Sequence, residues 1–415
     1  MSTVAASTGA VNAARCQVVI VGGGMVGSTL ALLLVQCARV APSSILLLEP
    51  EPASPLPAGA AYELRVSAIS PGNRSLLQQA GAWQCMDLSR VAAYERMAVW
   101  SETTPPDSPD VLRFDAAEVG EADLGSIVEN RNLQAALLQR CEALGITPVK
   151  ASVTALEVGS DGARVELDGR HCEAELVVGA DGANSAVRRL LGIGEDSRPY
   201  GERGIVATVS SERPHRHTAW QRFLRTGPLA LLPLANGESS IVWSAQDAEA
   251  ARLMALPAAE FSAALTAASA GVLGRLELTS ARAAFPLRHM RAQRFAASRC
   301  ALVGDAAHVI HPLAGQGVNE GLQDAAALAA ALAARPARES VGADRALQAY
   351  ARERRSGNAV TGAMMDALDA LFTGSGDITR MAATAGMSLV ARSSLARRFF
   401  FTRAARQRTT GSPGT

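Results

Sequence analysis

The chain has 415 residues, enough to bury a large core and to divide into two domains. A formal net charge of +1 argues against nucleic acid as a partner, and six scattered cysteines without a CxxC pair argue against a disulfide frame or a zinc site. No apolar run approaches the ~18 residues that span a bilayer, and the first 14 residues lack a basic start and an apolar centre, so they read as a disordered tail and not a signal peptide.

Cys16 to Val21 is a short apolar run that predicts a strand. Gly22-Gly23-Gly24-Met25-Val26-Gly27 follows and fits GxGxxG. In such a loop Gly22 makes the turn, Gly24 lets a pyrophosphate reach the backbone, and Gly27 lets the next helix pack on the strand. That helix is expected from Met25 to about Arg39, and a second strand from Ser44 to Leu48. Glu49 stands at its end, 22 residues after Gly27. The spacing suits an acid that accepts from an adenosine ribose. Together these segments predict the start of a doubly wound α/β unit with one dinucleotide site.

Pro50 to Tyr62 holds four prolines and reads as a loop. Arg65 follows in Glu63-Leu64-Arg65-Val66-Ser67-Ala68-Ile69, where its guanidinium fork can reach a pyrophosphate or simply face solvent. Ser70-Pro71 opens a helix to Gln79. Alternation at Met97, Val99, Leu112 and Phe114 predicts a hairpin, and Asn132 to Leu144 a helix. Two strands are expected within Val153 to Leu167 and another at Glu175 to Val178. Asp181-Gly182 then makes a turn, and Asn184-Ser185 can cap a helix.

Ile205–Ser210, Trp220–Leu224, Leu229–Leu232 and Ser239–Trp243 read as a block of antiparallel strands. Two short helices and a strand near Ala283 to Pro286 follow. Phe223, Leu232 and Trp243 are candidate substrate contacts by their apolar character, with core packing as the plainer role. The α/β pattern resumes at Cys300. Ala301-Leu302-Val303 predicts a buried strand, and Gly304-Asp305 puts a carboxylate at its end. Gly315 and Gly317 let backbone approach a flat ligand, and a helix is expected to begin near Asn319. His308 and His311 have the wrong spacing for HExxH, and no cluster completes a metal site. From Leu347 the pattern is helical, and Arg392, Arg397, Arg398, Arg403, Arg406 and Arg408 surround Phe399-Phe400-Phe401 in a basic tail.

These segments together resemble the FAD-dependent aromatic hydroxylases of the para-hydroxybenzoate hydroxylase-like fold, and among them the ubiquinone-biosynthesis hydroxylase family. The similarity covers roughly Val18 to Phe372. It rests on the glycine loop, Leu64 to Ile69, Leu124 to Asn130, Gly179 to Ser185, Phe285-Pro286-Leu287 and Gly304 to Asn319. Among the branches the chain looks most like the polyprenylphenol C5-hydroxylase.

The resemblance implies an α/β fold: a Rossmann-like FAD-binding domain, an inserted antiparallel β-sheet substrate domain and C-terminal helices. FAD-binding parts would span 16–95, 121–195 and 286–340. Substrate parts would span 96–120 and 196–285, with a helical segment and basic tail over 341–415. Gly22, Gly24 and Gly27 would hold the FAD diphosphate, Glu49 the ribose, and Arg65 and Asp305 the diphosphate and ribityl region. Pro312, Gly315, Gly317, Val318 and Asn319 would line the isoalloxazine, with His311 shaping the wall above it. Asp181 and Gly182 would support FAD and the nicotinamide donor.

The implied reaction is hydroxylation of a polyprenyl-phenol ring using O2 and NAD(P)H, through a flavin C4a-hydroperoxide. No side chain is assigned as the catalytic group. The implied setting is the cytoplasm, peripheral to the inner membrane, with a ubiquinone-biosynthesis complex and the membrane surface as partners. Two other readings stay open: a hydroxylase of a soluble aromatic or secondary metabolite, and a non-catalytic FAD-binding scaffold. One departure from the resemblance is Glu320, where the family usually has a Leu after the Asn. A carboxylate there would either alter the flavin potential or point to solvent in the first helical turn, where an acid is favoured.

Overall fold

The computed structural model describes residues 15–309 and 316–355. The chain runs β1 (Arg15–Val21), α1 (Met25–Gln36), β2 (Ile45–Leu48), β3 (Val66–Ile69), α2 (Pro71–Gln79), β4 (Ala92–Tyr94), β5 (Arg96–Ser101) and β6 (Leu112–Asp115). It continues with β7 (Gly125–Glu129), α3 (Asn130–Ala143), β8 (Val153–Val158), β9 (Ala163–Leu167), β10 (Arg170–Gly179) and α4 (Ala186–Leu190). Next come β11 (Glu195–Ser211), β12 (Thr218–Leu224), β13 (Gly227–Pro233), β14 (Ser239–Gln246), α5 (Asp247–Ala255), α6 (Ala258–Ala268), β15 (Leu276–Leu278) and β16 (Ala283–Ala292). The last elements are β17 (Ala296–Ala297), β18 (Cys300–Leu302), β19 (His308–Val309), α7 (Gln316–Ala333) and a helical run over 344–355.

β18, β10, β1 and β2 lie side by side and parallel, with the β8–β9 hairpin on β10 and β17 on the outer edge. Val18, Val19, Ile20 and Ile45 to Leu48 are buried without alternation, as strands covered on both faces require. Leu30 to Leu34 of α1 are buried, and α1 packs on α3 and α7. Helix α1 ends three residues before Arg39, which takes a left-handed φ of 58° that no helix continues through.

The second sheet orders its strands β19-β16-β11-β14-β13-β12-β5-β6, with β15 beside β11. The block expected to be antiparallel is so internally, but the β5–β6 hairpin joins it through a parallel pairing of β5 with β12. Alternation sets its two faces. Ile205, Leu229, Leu231, Ile241 and Trp243 pack with Leu253, Phe261 and Leu265 of α5 and α6. Val206, Ala230, Leu232 and Val242 face the opposite way, into a cleft. A third sheet, β3-β7-β4, packs Ala68, Ala92 and Ile127 against Ala219 and Leu232 of the second.

Candidate cofactor site and substrate cleft

Four parallel strands bring the sequence-predicted residues to one edge. Val21 pairs with Leu48 and with Gly179, and Gly179 with Leu302. Gly22 to Gly24, Glu49, Asp181 and Gly304-Asp305 therefore all follow carboxyl ends of adjacent strands, where open α/β sheets bind ligands. Gly22 has a φ of 104°, and a Cβ there would collide with the Ala180 carbonyl. A Cβ on Gly27 would collide with the Gly22 carbonyl. Gly24 differs: a Cβ would meet nothing within 4 Å. Gly24 caps the start of helix α1 with no side-chain hydrogen bond, and the first turn holds no acid, so its amides suit an anion. Glu49 accepts from the Gly23 amide at 2.9 Å and the Glu51 amide at 3.1 Å. A carboxylate has about four acceptor positions, so room is left for a ribose hydroxyl.

Asp181 works locally. One oxygen accepts from Ser185 Oγ, and the other from the Ala186 and Val187 amides at 2.6 and 3.1 Å. It caps α4, whose Arg188 donates to the Ala306 carbonyl at 2.8 Å and so braces the Gly304–Ala306 turn. Asp305 on that turn opens onto the cleft. The protein atoms around it raise its carboxyl above the ordinary range, an effect partly opposed by His308, Arg65 and Arg288.

The cleft has a volume of about 310 Å³ and draws together Arg65, Leu232, Asp305, Gly317 and Val318. Its sheet-side wall is Val206, Ala230, Leu232 and Val242, with two neutral polar side chains, Gln221 and Ser244. Arg288 also lines it, donating to Asn184 Oδ1 at 2.7 Å beside the Asp181 turn.

Pro312, Gly315 and His311 lie outside the described residues. Trp243 points to the helix-covered face, 6.0 Å from the Phe261 ring, because it is out of phase with cleft-facing Val242. Phe223 is buried opposite Pro228 and is not among the lining residues. Helix α7 starts at Gln316, three residues before the expected Asn319. Asn319 is 1% exposed, and its side chain clamps another element. It accepts from the Ser70 amide at 3.0 Å and Asn73 Nδ2 at 2.8 Å, and donates to the Ala68 carbonyl at 2.7 Å. Gln323 extends the clamp by donating to Asn73 Oδ1 at 2.6 Å. Asn319 thus fixes the corner between β3 and α2, at the end of β3 away from Arg65.

Glu320 corrects a second expectation. The early helix start puts it in the second turn, where it is 4% exposed and paired with Arg354 at 2.7 Å, not turned to solvent. Asp324, His308 and Arg354 complete this buried group, which sequence reading missed because the partners are 16 to 34 residues apart. Burial would lower the His308 pKa, but Asp324 2.7 Å away raises it more, and the net shift is upward. Burial would raise Asp324, but His308 and Arg354 pull it down, and the net shift is downward. The charged groups facing His308 are Asp324, Arg354, Glu320 and Asp305.

The His308 contribution is full below about pH 6.5 and is lost as pH rises through its raised folded pKa. The Asp324 contribution is full above about pH 3.9 and is lost as pH falls through its depressed folded pKa. The pair therefore stabilises most between those limits. Melting temperature should decline on the alkaline side, and His308→Gln should flatten that decline. Parallel melting profiles for the two proteins would contradict it.

The site fits FAD. Open space above Gly24, an uncapped helix start, an acid at the end of β2 and a cleft running from Asp305 to an apolar wall match a dinucleotide that ends in a flat ring. Known proteins agree. The FAD binding domain family profile matches residues 15–363. Ubiquinone hydroxylase UbiL of Rhodospirillum rubrum is 38% identical over 387 residues, 92% of this chain and 88% of its own length. The 3-demethoxyubiquinol 3-hydroxylase of Escherichia coli K12 is 36% identical, over 86% of this chain and 90% of its length. Human mitochondrial ubiquinone biosynthesis monooxygenase COQ6 is 34% identical, over 86% and 85%. Among solved structures, PqsL of Pseudomonas aeruginosa superposes with a TM-score of 0.72 at 25% identity, over 90% of this chain and 100% of PqsL. The p-nitrophenol 4-monooxygenase PnpA of Pseudomonas putida DLL-E4 shares the fold, with a TM-score of 0.72 at 18% identity over 95% and 99%. With matches this long on both sides, the chain belongs to the FAD-binding-domain family and, within it, to the ubiquinone-biosynthesis hydroxylases, as an FAD-dependent aromatic-ring monooxygenase.

Proposed function

We propose that the ring hydroxylated is that of a polyprenyl-phenol intermediate of ubiquinone biosynthesis, with C5 as the target carbon and NAD(P)H as the donor. The observation that carries this reading is the sheet-side wall of the cleft. Val206, Ala230, Leu232 and Val242 offer apolar surface, and Gln221 and Ser244 offer only neutral hydrogen bonds. An aromatic acid would need a cation facing its carboxylate. Arg65 and Arg288 line the cleft but influence Asp305 at the cofactor end. Neutral partners suit a phenol hydroxyl, and an apolar wall suits its tail.

Bound FAD supplies the electron transfer and O2 activation that no side chain here can supply. The chain's own residues bind and orient. Gln221 and Ser244 fix the ring hydroxyl, and the aliphatic wall keeps water from the reacting face. Gly24, Glu49, Arg65 and Asp305 would hold the cofactor, and Gly317 and Val318 line the cleft that would take its ring.

A lipid extract of a deletion strain tests the reading. It should accumulate a prenylated ring lacking one hydroxyl, at C5, and the intact gene should clear it. Normal ubiquinone with no accumulated precursor would overturn it.

We also propose that the enzyme works in the cytoplasm at the inner-membrane surface, within a biosynthetic complex. The support is the sequence beyond the described residues, where six arginines flank Phe399-Phe400-Phe401. Basic residues near an anionic surface contribute about 1 kcal/mol each, and the Phe cluster can insert shallowly. Among the described residues no helix is long and apolar enough to cross a membrane. Truncation after Ser394 should leave FAD bound but lower recovery with anionic vesicles. Equal cosedimentation and equal complementation by the truncated chain would contradict this.

A further inference from the structure

Glu320 and Asp324 stand one turn apart on the same face of α7. Two carboxylates so placed repel each other unless a cation joins them. Arg354, from the helical run over 344–355, does so. It donates through Nη2 to Glu320 Oε2 at 2.7 Å and through Nε to Asp324 Oδ1 at 2.5 Å. The other Asp324 oxygen accepts from the Gly304 amide at 2.8 Å and pairs with His308 Nε2 at 2.7 Å. Asp324 is wholly buried and Arg354 is 8% exposed, so neither charge is relieved by bulk water.

The same helix makes a second contact. Tyr350, also wholly buried, donates its hydroxyl to the Leu302 carbonyl at 2.7 Å. Helix 344–355 therefore grips the strand end at two points: Leu302 directly, and Gly304 through Asp324. The next residue is Asp305, the carboxylate that opens onto the cleft. Gly304 sits at a φ of 60°, so its turn depends on neighbours to hold a backbone that most residues avoid.

We propose that Tyr350 and Arg354 are positioning residues of the FAD site, so that docking of helix 344–355 and binding of FAD are coupled through the Leu302–Asp305 turn. Glu320 holds Arg354 in the bridging place, which gives this chain's departure from Leu a role. Coupling is reciprocal: a docked helix tightens FAD, and FAD quiets the helix. The inference rests on FAD binding and not on the polyprenyl-phenol reading, so failure to hydroxylate that substrate leaves it intact.

The test uses full-length protein stripped of FAD, with the FAD dissociation constant read from flavin fluorescence well below the melting temperature. Tyr350→Phe should weaken FAD about 3- to 10-fold, the loss of one buried hydrogen bond. Glu320→Leu should weaken it by a similar factor, and Arg354→Lys should weaken it less than Arg354→Met. Hydrogen exchange of wild-type amides 344–355 should slow when FAD is added. A merely structural helix would lower the melting temperature of the apo variants while leaving FAD affinity within 2-fold and helix exchange indifferent to FAD; that pattern would overturn the inference. If the Arg354 variants fail to fold, Tyr350→Phe and wild-type exchange still decide it.

Discussion

Gly24→Val should yield a folded, colourless protein. The three motif glycines are not equivalent. Gly22 and Gly27 exclude a Cβ because protein backbone occupies its place, so substitutions there damage the fold itself. Gly24 has a φ of −66° and open space where a side chain would go, so valine is tolerated by the apo chain. The isopropyl group would then stand where a diphosphate must approach the α1 amides. Losing two charge-assisted hydrogen bonds, at about 1.5–3 kcal/mol each, weakens FAD at least ~100-fold. A purified variant that keeps full flavin absorbance would remove the glycine loop from the cofactor site.

Asp305→Ala should weaken FAD by about 10- to 150-fold, the effect of one charged acceptor worth about 1.5–3 kcal/mol. Asp181→Ala should change FAD affinity far less. The geometry separates the two aspartates. Asp305 opens onto the cleft, whereas the Asp181 oxygens are engaged by Ser185, Ala186 and Val187. Removing Asp181 uncaps α4, at a cost of about 0.5–2 kcal/mol in stability. Melting temperature should therefore fall for Asp181→Ala, and FAD affinity for Asp305→Ala. Equal or reversed FAD dissociation constants would contradict the assignment.

The parts of the site built from local rules were legible in the sequence. The strand, glycine turn and helix at Cys16 to Gln36, Glu49 at its strand end, and Asp305 after an apolar run all follow from short-range chemistry. Elsewhere the chain runs against its local signals. Strand β11 was expected from Ile205 but begins at Glu195. Pro199 and Gly201 look like breakers, yet the strand passes them through a register shift between Pro199 and Glu202 while paired to β16. Helix α7 starts inside a glycine-bearing stretch that propensity reads as loop. That shift is what moved Glu320 inward. Trp243 and Val242 are both apolar and adjacent, and only a two-sided sheet with helices behind it decides which one faces the cleft. The Asn73–Asn319–Gln323 clamp and the Arg354 bridge join residues 30 to 250 positions apart, and no spacing rule reaches that far.

Ring hydroxylation under ¹⁸O₂ tests the central claim most directly. The FAD-loaded enzyme, given NAD(P)H, a short-chain prenyl-phenol and labelled oxygen, should form a product with one added hydroxyl. That hydroxyl should carry one ¹⁸O atom. Donor oxidation with no ring product, or a hydroxyl whose oxygen comes from water, would contradict the account.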